Sequence, residues 1–363
     1  MPHAGSGEGI TEYAYNIANE LREYNLRFDL IYAREKRNSN SDWVRKFLVN
    51  KFIFLNDFWI LRKKLARIKS AYDLVHITNQ EMGFASEILK RKNIAKSVVT
   101  TIHDLILFNE AYGEGIYNKL VRQNYYGLVR KSIDKAVEYS DFLIFDSTQT
   151  KDEAVKVYGR RIKKNEIINL GIPDIFIRNA LNRRTVKSKL FRVGYIGALT
   201  PRKNVSGILK SAYHLKYDRD TEFLVYGKGQ EYESLNKYRV EKGLSNVSFN
   251  GFVEEDKKID AYDSFDAFVF PSLYEGFGLP ILEAQARGLP VIIYKNSKIP
   301  EEVGRYCFKV EDDSHMAQII ESIKNNGYVE GKRIKAWKYA RGFTWEKCAG
   351  KTLQVYKKVN GIL

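Results

Sequence analysis

Short apolar runs alternate with amphipathic helical stretches along most of the chain. The runs in the first half predict strands at Arg27–Tyr32, Asp73–Ile77, Ser97–His103, Asp141–Asp146 and Glu166–Leu170. The runs in the second half predict strands at Phe191–Ile196, Thr221–Tyr226, Asn246–Asn250, Asp266–Phe270, Pro290–Tyr294 and Tyr306–Val310. Helical periodicity lies between them, including Ile10–Tyr24, Gly115–Tyr139, Asn204–Tyr217 and Gln230–Lys242. Near-continuous apolar strands that alternate with helices are typical of parallel sheets covered on both faces, so the two series predict two doubly wound α/β domains.

A polar, weakly periodic stretch from Ile172 to Leu190 separates the two series. We therefore predict a first domain over residues 1–172, a linker over 173–190 and a second domain over 191–344. Two open sheets that face one another form a cleft at the carboxyl ends of their strands, where ligands of such folds bind. We expect the chemistry of the chain to lie on loops that follow strands.

The composition is that of a folded protein large enough for two cores. Its 363 residues are 44% hydrophobic and 13% aromatic, which excludes a disordered or disulfide-stapled class. Cys307 and Cys348 fit neither a zinc knuckle nor a disulfide framework. No apolar run approaches the roughly 20 residues that span a bilayer, and the first residues lack the apolar core of a signal peptide. We expect a cytoplasmic protein that is at most peripheral on the membrane.

Half of the net charge of +16 lies between residues 36 and 70, where ten basic residues face two acidic ones. Apolar residues recur there at seven-residue spacing, as in Phe47, Phe54 and Leu61, which predicts an amphipathic helix over Trp43–Lys69. Basic and aromatic residues on such a helix indicate attachment to an anionic membrane surface. The alternative is that the apolar face packs into the domain and the charges form a solvated flank. No binding motif for nucleic acid accompanies the charge, so we predict no nucleic-acid partner.

The most informative stretch follows the predicted strand that ends at Phe270 and reads Pro-Ser-Leu-Tyr-Glu-Gly-Phe-Gly-Leu-Pro-Ile-Leu-Glu. Gly276 and Gly278 allow the backbone to approach a ligand closely, and the proline after them suits the first turn of a helix. The N–H groups and the dipole of such a helix start form an anion site. Two carboxylates eight residues apart, Glu275 and Glu283, can grip separate hydroxyl groups of one extended ligand. The alternative is an ordinary glycine turn followed by a solvated helical glutamate.

This stretch, with Glu275, seven intervening residues and Glu283, resembles the signature of family-4 retaining glycosyltransferases of the GT-B fold. The resemblance implies two doubly wound, Rossmann-like parallel-sheet domains that face each other across a cleft. It implies that Glu275 contacts hydroxyls of the donor sugar and that Glu283 binds the ribose of the nucleotide. It also implies that the backbone of Phe277, Gly278 and Leu279 meets the sugar and the diphosphate.

A second segment, Gly-Tyr-Ile-Gly197-Ala-Leu-Thr-Pro-Arg-Lys-Asn-Val, resembles the strand, loop and helix that open the family's second domain. By this resemblance Gly197 lies at the donor, and Lys203, assisted by Arg202, neutralises the diphosphate. Positioned cations stabilise the negative charge that builds up on a leaving nucleoside diphosphate. The family usually has Arg directly after the glycine, where this chain has Ala198, so either Arg202 compensates or phosphate binding is weaker. The alternative for the two cations is a solvated first turn of a helix, although cations there oppose the helix dipole.

Two weaker matches concern the base and the first glycine-rich loop. The segment Gly-Phe-Val253 lies where family members cradle the base, so Val253 is expected to offer a backbone contact. Near the start, Gly-Ser-Gly7-Glu-Gly resembles the family's first glycine-rich loop, which places Gly7 close to the sugar phosphate and the acceptor. The family has a strand before this loop, where this chain has four residues, so we expect the start to be truncated or that strand to be lost.

Two further matches place residues of the first domain at the cleft. His103, in Thr-Ile-His-Asp, resembles the family's strand-end histidine and is expected to contact the donor sugar or phosphate. The alternative is a capping or core histidine. Trp345, in Phe-Thr-Trp-Glu, resembles the start of the family's last helix, so we expect a helix over about 345–363 to pack back on the first domain.

Together these features predict a retaining glycosyltransferase that moves a sugar from a UDP- or GDP-sugar to an acceptor. The first domain would lie on the acceptor side and the second would bind the nucleotide sugar. Glu275 and His103 would position the sugar, and Arg202 and Lys203 would stabilise the leaving diphosphate. No protein nucleophile emerges, so the resemblance suggests attack on the face from which the diphosphate leaves. A lipid-linked acceptor would explain the basic segment.

We expect neither a cofactor nor a metal beyond the nucleotide sugar as co-substrate. Asp218-Arg-Asp220 is interpreted as a solvated turn between a helix and a strand, and the five histidines show no metal-ligand spacing. Two other functions stay open at this point. One is a non-catalytic carbohydrate- or membrane-binding protein that kept the GT-B fold, and the other is a sugar-nucleotide epimerase.

Overall fold

The computed structural model describes residues 8–24, 29, 59–68, 71–108, 119–178 and 190–361. Gly7 lies outside the described residues, as do most of the predicted strand Arg27–Tyr32 and most of the predicted helix Trp43–Lys69.

The first sheet has four parallel strands, in the order β1-β2-β3-β4 among the described residues. Their bounds are β1 Tyr72–Ile77, β2 Ala95–Ile102, β3 Phe142–Phe145 and β4 Asn165–Ile167. The helices are α1 Glu8–Leu21, α2 at 59–66, α3 Ala85–Arg91, α4 Lys119–Tyr139 and α5 Thr148–Tyr158. β3 is buried along its whole length because its side chains alternate between two apolar clusters. Leu143 packs in the cluster of α4, and Ile144 packs in the cluster of α1.

The second sheet has six parallel strands, in the order β10-β9-β8-β5-β6-β7. Their bounds are β5 Phe191–Ile196, β6 Thr221–Tyr226, β7 Val247–Gly251, β8 Ala267–Val269, β9 Val291–Tyr294 and β10 Phe308–Val310. The strand order reverses at β5, which has β6 on one side and β8 on the other. In open α/β sheets the crevice at such a switch point is where ligands bind.

Helices pack on both faces of the second sheet and cross to the first domain. Their bounds are α6 Asp174–Ile177, α7 Val205–His214, α8 Tyr232–Glu241, α9 Lys258–Asp263, α10 Leu279–Ala286, α11 Glu301–Gly304, α12 Asp313–Asn326, α13 Glu330–Ala340 and α14 Trp345–Val359. The predicted strands Phe191–Ile196 and Thr221–Tyr226 have the predicted bounds. Others are shorter, as at Asp266–Phe270, where only Ala267–Val269 is paired because the chain turns into the cleft loop.

The start of the predicted linker is more ordered than its composition indicated. The N–H of Ile172 donates to the carbonyl of Phe343 at 3.0 Å, so the two chain segments that connect the domains lie side by side. Phe176 of α6 is buried and meets the ring of Tyr262 edge-on, with ring centroids 5.6 Å apart. Residues 179–189 lie outside the described part of the chain.

Helix α14 packs against α1 of the first domain. Thr344 caps its start by accepting the N–H of Lys347 at 3.2 Å. The hydroxyl of Tyr356, on the last turns of α14, lies 2.7 Å from Nδ1 of His76 in β1. Nε2 of His76 lies 2.7 Å from the hydroxyl of Thr101, which in turn meets the hydroxyl of Tyr13 at 3.0 Å. This polar chain, buried between α1, α14 and the sheet, ties the end of the chain to the first domain.

Helix α2 is the described part of the basic segment. Leu61 and Leu65 are buried in the cluster formed with β1 and α3, whereas Arg62 and Lys63 are exposed. In this part, therefore, the leucines of the predicted helix pack into the domain, and Trp59 keeps 57% of its surface exposed. None of the described helices combines the length and the hydropathy that a membrane crossing needs.

Candidate active site

Glu275 lies at the centre of an ion cluster at the carboxyl edge of the second sheet. It follows β8, whereas Arg202 and Lys203 follow β5 in a single 3₁₀ turn. Because β5 and β8 are neighbours, the two loops meet. Nζ of Lys203 lies 2.6 Å from Oε1 of Glu275, and Nη1 of Arg202 lies 3.2 Å from the same oxygen. The three residues predicted for the site thus come together, with both cations within hydrogen-bonding distance of one carboxylate oxygen.

The cluster holds the Glu275 carboxylate in its charged form. The residue is 8% exposed, and Ser272 donates a further hydrogen bond to Oε1 at 2.5 Å. Burial alone would raise the pKa of the Glu275 carboxyl, but Lys203, Arg202 and these hydrogen bonds outweigh it and hold the pKa below its usual value. Two cations thus face this carboxylate, and Arg202 also interacts electrostatically with the carboxyl group of Asp104.

The start of α10 adds a second anion-binding element. Gly278 precedes the helix with φ of 105° and ψ of 51°, a left-handed conformation that favours glycine. Leu279 is the first helical residue, so its N–H belongs to the unpaired first turn of the helix. The Phe277 side chain is buried and faces Phe343, with ring centroids 6.1 Å apart. The side chain of Phe277 therefore belongs to the core, and a contact of its backbone with a ligand stays a prediction.

Glu283 lies in α10 and is 2% exposed. Lys258 of α9 donates to its Oε1 at 2.8 Å, and the hydroxyl of Tyr262 donates to its Oε2 at 2.7 Å. Burial and the Glu283 carboxylate raise the pKa of the Tyr262 hydroxyl well above its usual value, so Tyr262 stays a donor. Glu283 is therefore not the solvated helical glutamate of the alternative reading, but a carboxylate fixed by two partners.

A buried ion pair fixes the end of α10. Arg287 forms two hydrogen bonds with the carboxylate of Asp263, at 2.7 and 2.6 Å, and also donates to the carbonyl of Arg178 at 3.3 Å. Such a bidentate pair has a defined geometry. It holds α10 against α9, so that Glu283 and its partners Lys258 and Tyr262 keep one arrangement.

His103 lies at the end of β2, but its ring is turned into the first domain. Nδ1 lies 2.5 Å from Oδ2 of Asp146, and Nε2 donates to the carbonyl of Thr78 at 2.8 Å. Burial opposes the charged ring, but the Asp146 carboxylate outweighs it and raises the pKa of His103. Both ring nitrogens are thus used by the protein, and the group that His103 presents to the second domain is its backbone carbonyl. A contact of the His103 ring with the donor sugar or phosphate stays a prediction. The present arrangement does not favour it, because both ring nitrogens already have partners in the first domain.

The glycine-rich loops of the second sheet pack against one another. The N–H of Gly197 donates to the carbonyl of Tyr226 at 3.0 Å, which brings the loop after β5 against the loop after β6. Ala198, where the family usually has Arg, is exposed, and its carbonyl accepts the hydroxyl of Tyr195 at 2.9 Å. Arg202, the cation expected to compensate for Ala198, lies at Glu275, and its role at a diphosphate stays a prediction. Val253 lines a cavity of about 430 Å³ beside α9, and its contact with a base stays a prediction.

The first domain contacts the Glu275 loop through the start of α5. Ser147 donates to the carbonyl of Gly276 at 2.8 Å, and Gln149 donates to the carbonyl of Glu275 at 3.0 Å. A Cβ atom at Gly276 would lie 2.3 Å from the carbonyl oxygen of His103, so only glycine allows this approach. His103 and Glu275, predicted on separate domains, therefore lie on opposite sides of one contact.

Several partners of the site were not predicted. Lys258 lies among charged residues of a surface helix, and Ser272 lacks a distinctive spacing; Gln149 lies in a segment that resembles a cleft-facing loop of the family, but its contact with Glu275 was not predicted. Asp146 had a usable signal in the sequence, since it follows β3, the strand beside β2, and the ends of adjacent parallel strands meet.

The Asp218 carboxylate accepts hydrogen bonds from Lys324 and Thr221 and forms the turn predicted between a helix and a strand. Among the described residues, no group of three His, Cys, Asp or Glu side chains is placed to hold a metal ion.

Comparison with known proteins assigns this arrangement to a class. Sucrose-phosphate synthase from Thermosynechococcus elongatus has a TM-score of 0.69 at 18% identity, over 99% of this chain and 94% of that one. Anabaena HepE in complex with UDP and glucose has a TM-score of 0.67 at 17% identity, over 98% and 97% of the two chains. The fold is accordingly GT-B, with two parallel-sheet α/β domains.

Sequence relatives narrow the class to a family. The model for glycosyl transferases group 1 matches residues 177–342, and the model for Glycosyltransferase Family 4 matches residues 7–174. O-antigen chain mannosyltransferase B of Escherichia coli is 26% identical over 273 residues, 71% of this chain and 70% of its own length. An MMP α-(1→4)-mannosyltransferase of Mycolicibacterium hassiacum is 24% identical over 81% of this chain and 72% of its own. The chain belongs to the family-4, group 1 glycosyltransferases, and it is a glycosyltransferase.

Proposed function

We propose that this chain transfers a hexose from a nucleoside diphosphate sugar to an acceptor hydroxyl, with retention of the anomeric configuration. The observation that carries the proposal is the cluster of Glu275 with Lys203 and Arg202 beside the start of α10, at the switch point of the second sheet. A diphosphate meets two cations and a helix N-terminus at this place. Glu283, eight residues on, supplies a fixed carboxylate for the ribose.

The chemistry follows from the charge that develops. As the bond between the anomeric carbon and the phosphate oxygen breaks, the leaving diphosphate gains one negative charge. Lys203, Arg202 and the N–H groups of the α10 start lower the energy of that charge without rearrangement. The acceptor oxygen forms the new bond to the anomeric carbon on the same face, and its proton passes to the leaving phosphate oxygen. Glu275 is held by two cations, which makes it a weak nucleophile and suits it to bind sugar hydroxyls.

The relatives guide the choice of donor. Both curated relatives described above are named mannosyltransferases, which makes mannose the first sugar to test. Solved neighbours carry UDP, as in HepE with UDP and glucose, so uridine donors belong in the same screen. We propose UDP and GDP as the two nucleotides, with GDP-mannose and UDP-glucose as the first donors.

The test is a binding and turnover screen on the purified chain. Calorimetric titration with UDP and GDP should show binding of at least one nucleotide. Incubation with the two donors should then release nucleoside diphosphate, and NMR of a product should show the anomeric configuration of the donor. A folded chain that neither binds nor turns over any nucleotide sugar would refute the proposal.

A matched pair of variants distinguishes a catalytic glycosyltransferase from a non-catalytic carbohydrate-binding protein with the same fold. Glu275→Gln should lower turnover by roughly 100-fold or more, because it removes the charge that orders Lys203 and Arg202. Glu311→Gln is the control, since Glu311 pairs with Lys295 on the exposed surface at 2.7 Å. Equal turnover by the two variants would mean that the transfer does not need the Glu275 carboxylate, and the proposed role of Glu275 would be wrong.

We further propose that the acceptor is presented at an anionic membrane surface reached through residues 36–70. In support, this segment has a charge balance of +8, and Arg62 and Lys63 of α2 face solvent while Leu61 and Leu65 anchor the helix in the domain. Attraction of Lys and Arg to anionic lipid is worth about 1 kcal/mol each and is weakened by salt. Vesicles with anionic lipid should therefore co-sediment the chain at low salt, and neutral vesicles should not. Equal recovery with both would refute the membrane proposal.

A further inference from the structure

Two consecutive carbonyls of the Glu275 loop are held by side chains of the other domain. Gln149 donates from Nε2 to the carbonyl of Glu275 at 3.0 Å and to that of Lys298 at 3.4 Å. Ser147 donates to the carbonyl of Gly276 at 2.8 Å, and Thr150 contributes a longer contact at 3.4 Å. The Ser147 oxygen also accepts the N–H of Thr150 as the helix cap, so the start of α5 and the loop share one hydroxyl.

The rest of Glu275 is fixed by its own domain. Its N–H donates to the carbonyl of Lys298 at 2.8 Å, and its carboxylate is held by Lys203 and Arg202. The carbonyl is therefore the one backbone group of Glu275 that the first domain controls. Rotation of the Glu275–Gly276 peptide changes the direction in which the chain enters Gly278 and the start of α10.

The two domains are in direct van der Waals contact at the Glu275–Gly276 peptide. A Cβ at Gly276 would also lie 2.9 Å from Cβ of Asp104, in addition to its clash with the His103 carbonyl. Two flanking contacts close the same interface. The N–H of Thr148 donates to Glu302 of α11 at 2.7 Å, and Tyr274 donates to Glu153 of α5 at 2.6 Å.

We propose that Gln149 is a positioning residue for the glycosyl transfer inferred above, on which this inference rests. Its amide holds the Glu275–Gly276 peptide in the orientation that aims the start of α10 at the diphosphate. Because Gln149 belongs to the first domain, this orientation is enforced only when the domains are closed. The side chain of Gln149 thereby couples the closure of the two domains to the conformation of the Glu275 loop.

The variant Gln149→Ala removes both of its hydrogen bonds and leaves the Ser147 cap in place, so α5 keeps its start. We expect the affinity for UDP or GDP alone to stay within about 2-fold, since Gln149 acts only when the domains are closed, and a nucleotide without its sugar is proposed to bind to the second domain alone. The kcat with GDP-mannose or UDP-glucose, whichever the wild type uses, should fall roughly 5- to 20-fold, the effect of one or two neutral hydrogen bonds. Gln149→Glu, which turns a carboxylate toward two carbonyls, should lose more. Val155→Ala, on the exposed face of α5, is the matched control and should change neither quantity.

Hydrogen exchange supplies a readout that does not depend on activity. The amides of residues 276–279 should exchange faster in Gln149→Ala than in wild type and Val155→Ala. An unchanged exchange rate, or an unchanged kcat in a wild-type-active preparation, would overturn the inference. A wild-type chain without turnover would instead refute the proposed transfer, while the exchange data would still decide whether Gln149 holds the loop.

Discussion

Replacing Lys203 by Met removes one charge from the site and keeps the length and much of the apolar stem. Nζ of Lys203 lies 2.6 Å from Glu275, and it also stands over the Phe270 ring at 5.1 Å from the centroid. If a diphosphate binds here, Lys203→Met loses a charge-assisted hydrogen bond to phosphate. Such a bond is worth about 1.5–3 kcal/mol, which corresponds to a roughly 10- to 100-fold weaker Kd for UDP or GDP. Turnover should fall further, because the charge on the diphosphate is largest as it leaves.

The same change also affects the stability of the folded chain. Glu275 keeps Arg202 at 3.2 Å and the hydroxyl of Ser272, so its charge is not left without a partner. The loss of one buried cation should cost about 1–3 kcal/mol of unfolding free energy. The double variant Lys203→Met with Glu275→Gln restores the charge balance and should recover part of this stability. It should not recover nucleotide binding.

Calorimetric titration and thermal unfolding measure the two effects separately. Lys210→Met is the matched control, because Lys210 is half exposed and lies 3.9 Å from Asp313, a pair worth less than about 1 kcal/mol. If Lys203→Met binds UDP and GDP as tightly as Lys210→Met does, Lys203 does not contact the diphosphate. The assignment of the phosphate site would then be wrong.

Three further predictions follow from neighbouring contacts. Glu283→Gln should weaken nucleotide binding about 10-fold, because the ribose loses a charged hydrogen-bond acceptor. Nucleotides that lack a ribose hydroxyl should bind the variant and the wild type equally well. If such nucleotides also bind the variant more weakly than the wild type, Glu283 does not bind the ribose. Gly276→Ala should keep the domains apart because of the clash with the His103 carbonyl; small-angle scattering should give a larger radius of gyration and turnover should fall, whereas an unchanged radius would contradict the close approach. Burial lowers the pKa of His76 from 6.5 to about 3, so the folded chain resists a proton that the unfolded chain takes up below pH 6.5. Stability should therefore be lost as pH falls from 6.5 toward 3, by about 2 kcal/mol at about pH 5 from this group. His76→Gln should show a smaller acid-induced drop in thermal midpoint, and an unchanged drop would contradict this source.

The sequence predicted strands such as β2, β3 and β5 well because they are largely buried apolar runs between turn residues. The pairing of Glu275 with Lys203 was also accessible, since both residues follow strands near the switch point of one sheet. The partners of the His103 ring were not predicted, and a contact of the ring with a donor stays a prediction. Its partner Asp146 is 43 residues away, and only the adjacency of β2 and β3 brings the two together.

Other parts of the site depend on packing that periodicity does not encode. Lys258 reaches Glu283 because the Arg287–Asp263 pair sets α9 against α10. Gln149 reaches the Glu275 loop only because the two domains meet at Gly276. In α2, heptad spacing marked Leu61 as apolar, but spacing alone does not distinguish a domain core from a lipid surface.

The most direct test of this account is a crystal structure of the chain with UDP or GDP bound. We predict that a diphosphate oxygen lies within about 3.2 Å of Nζ of Lys203 and that a ribose hydroxyl lies within the same distance of the Glu283 carboxylate. A nucleotide bound with its phosphates away from Lys203 and its ribose away from Glu283 would contradict it.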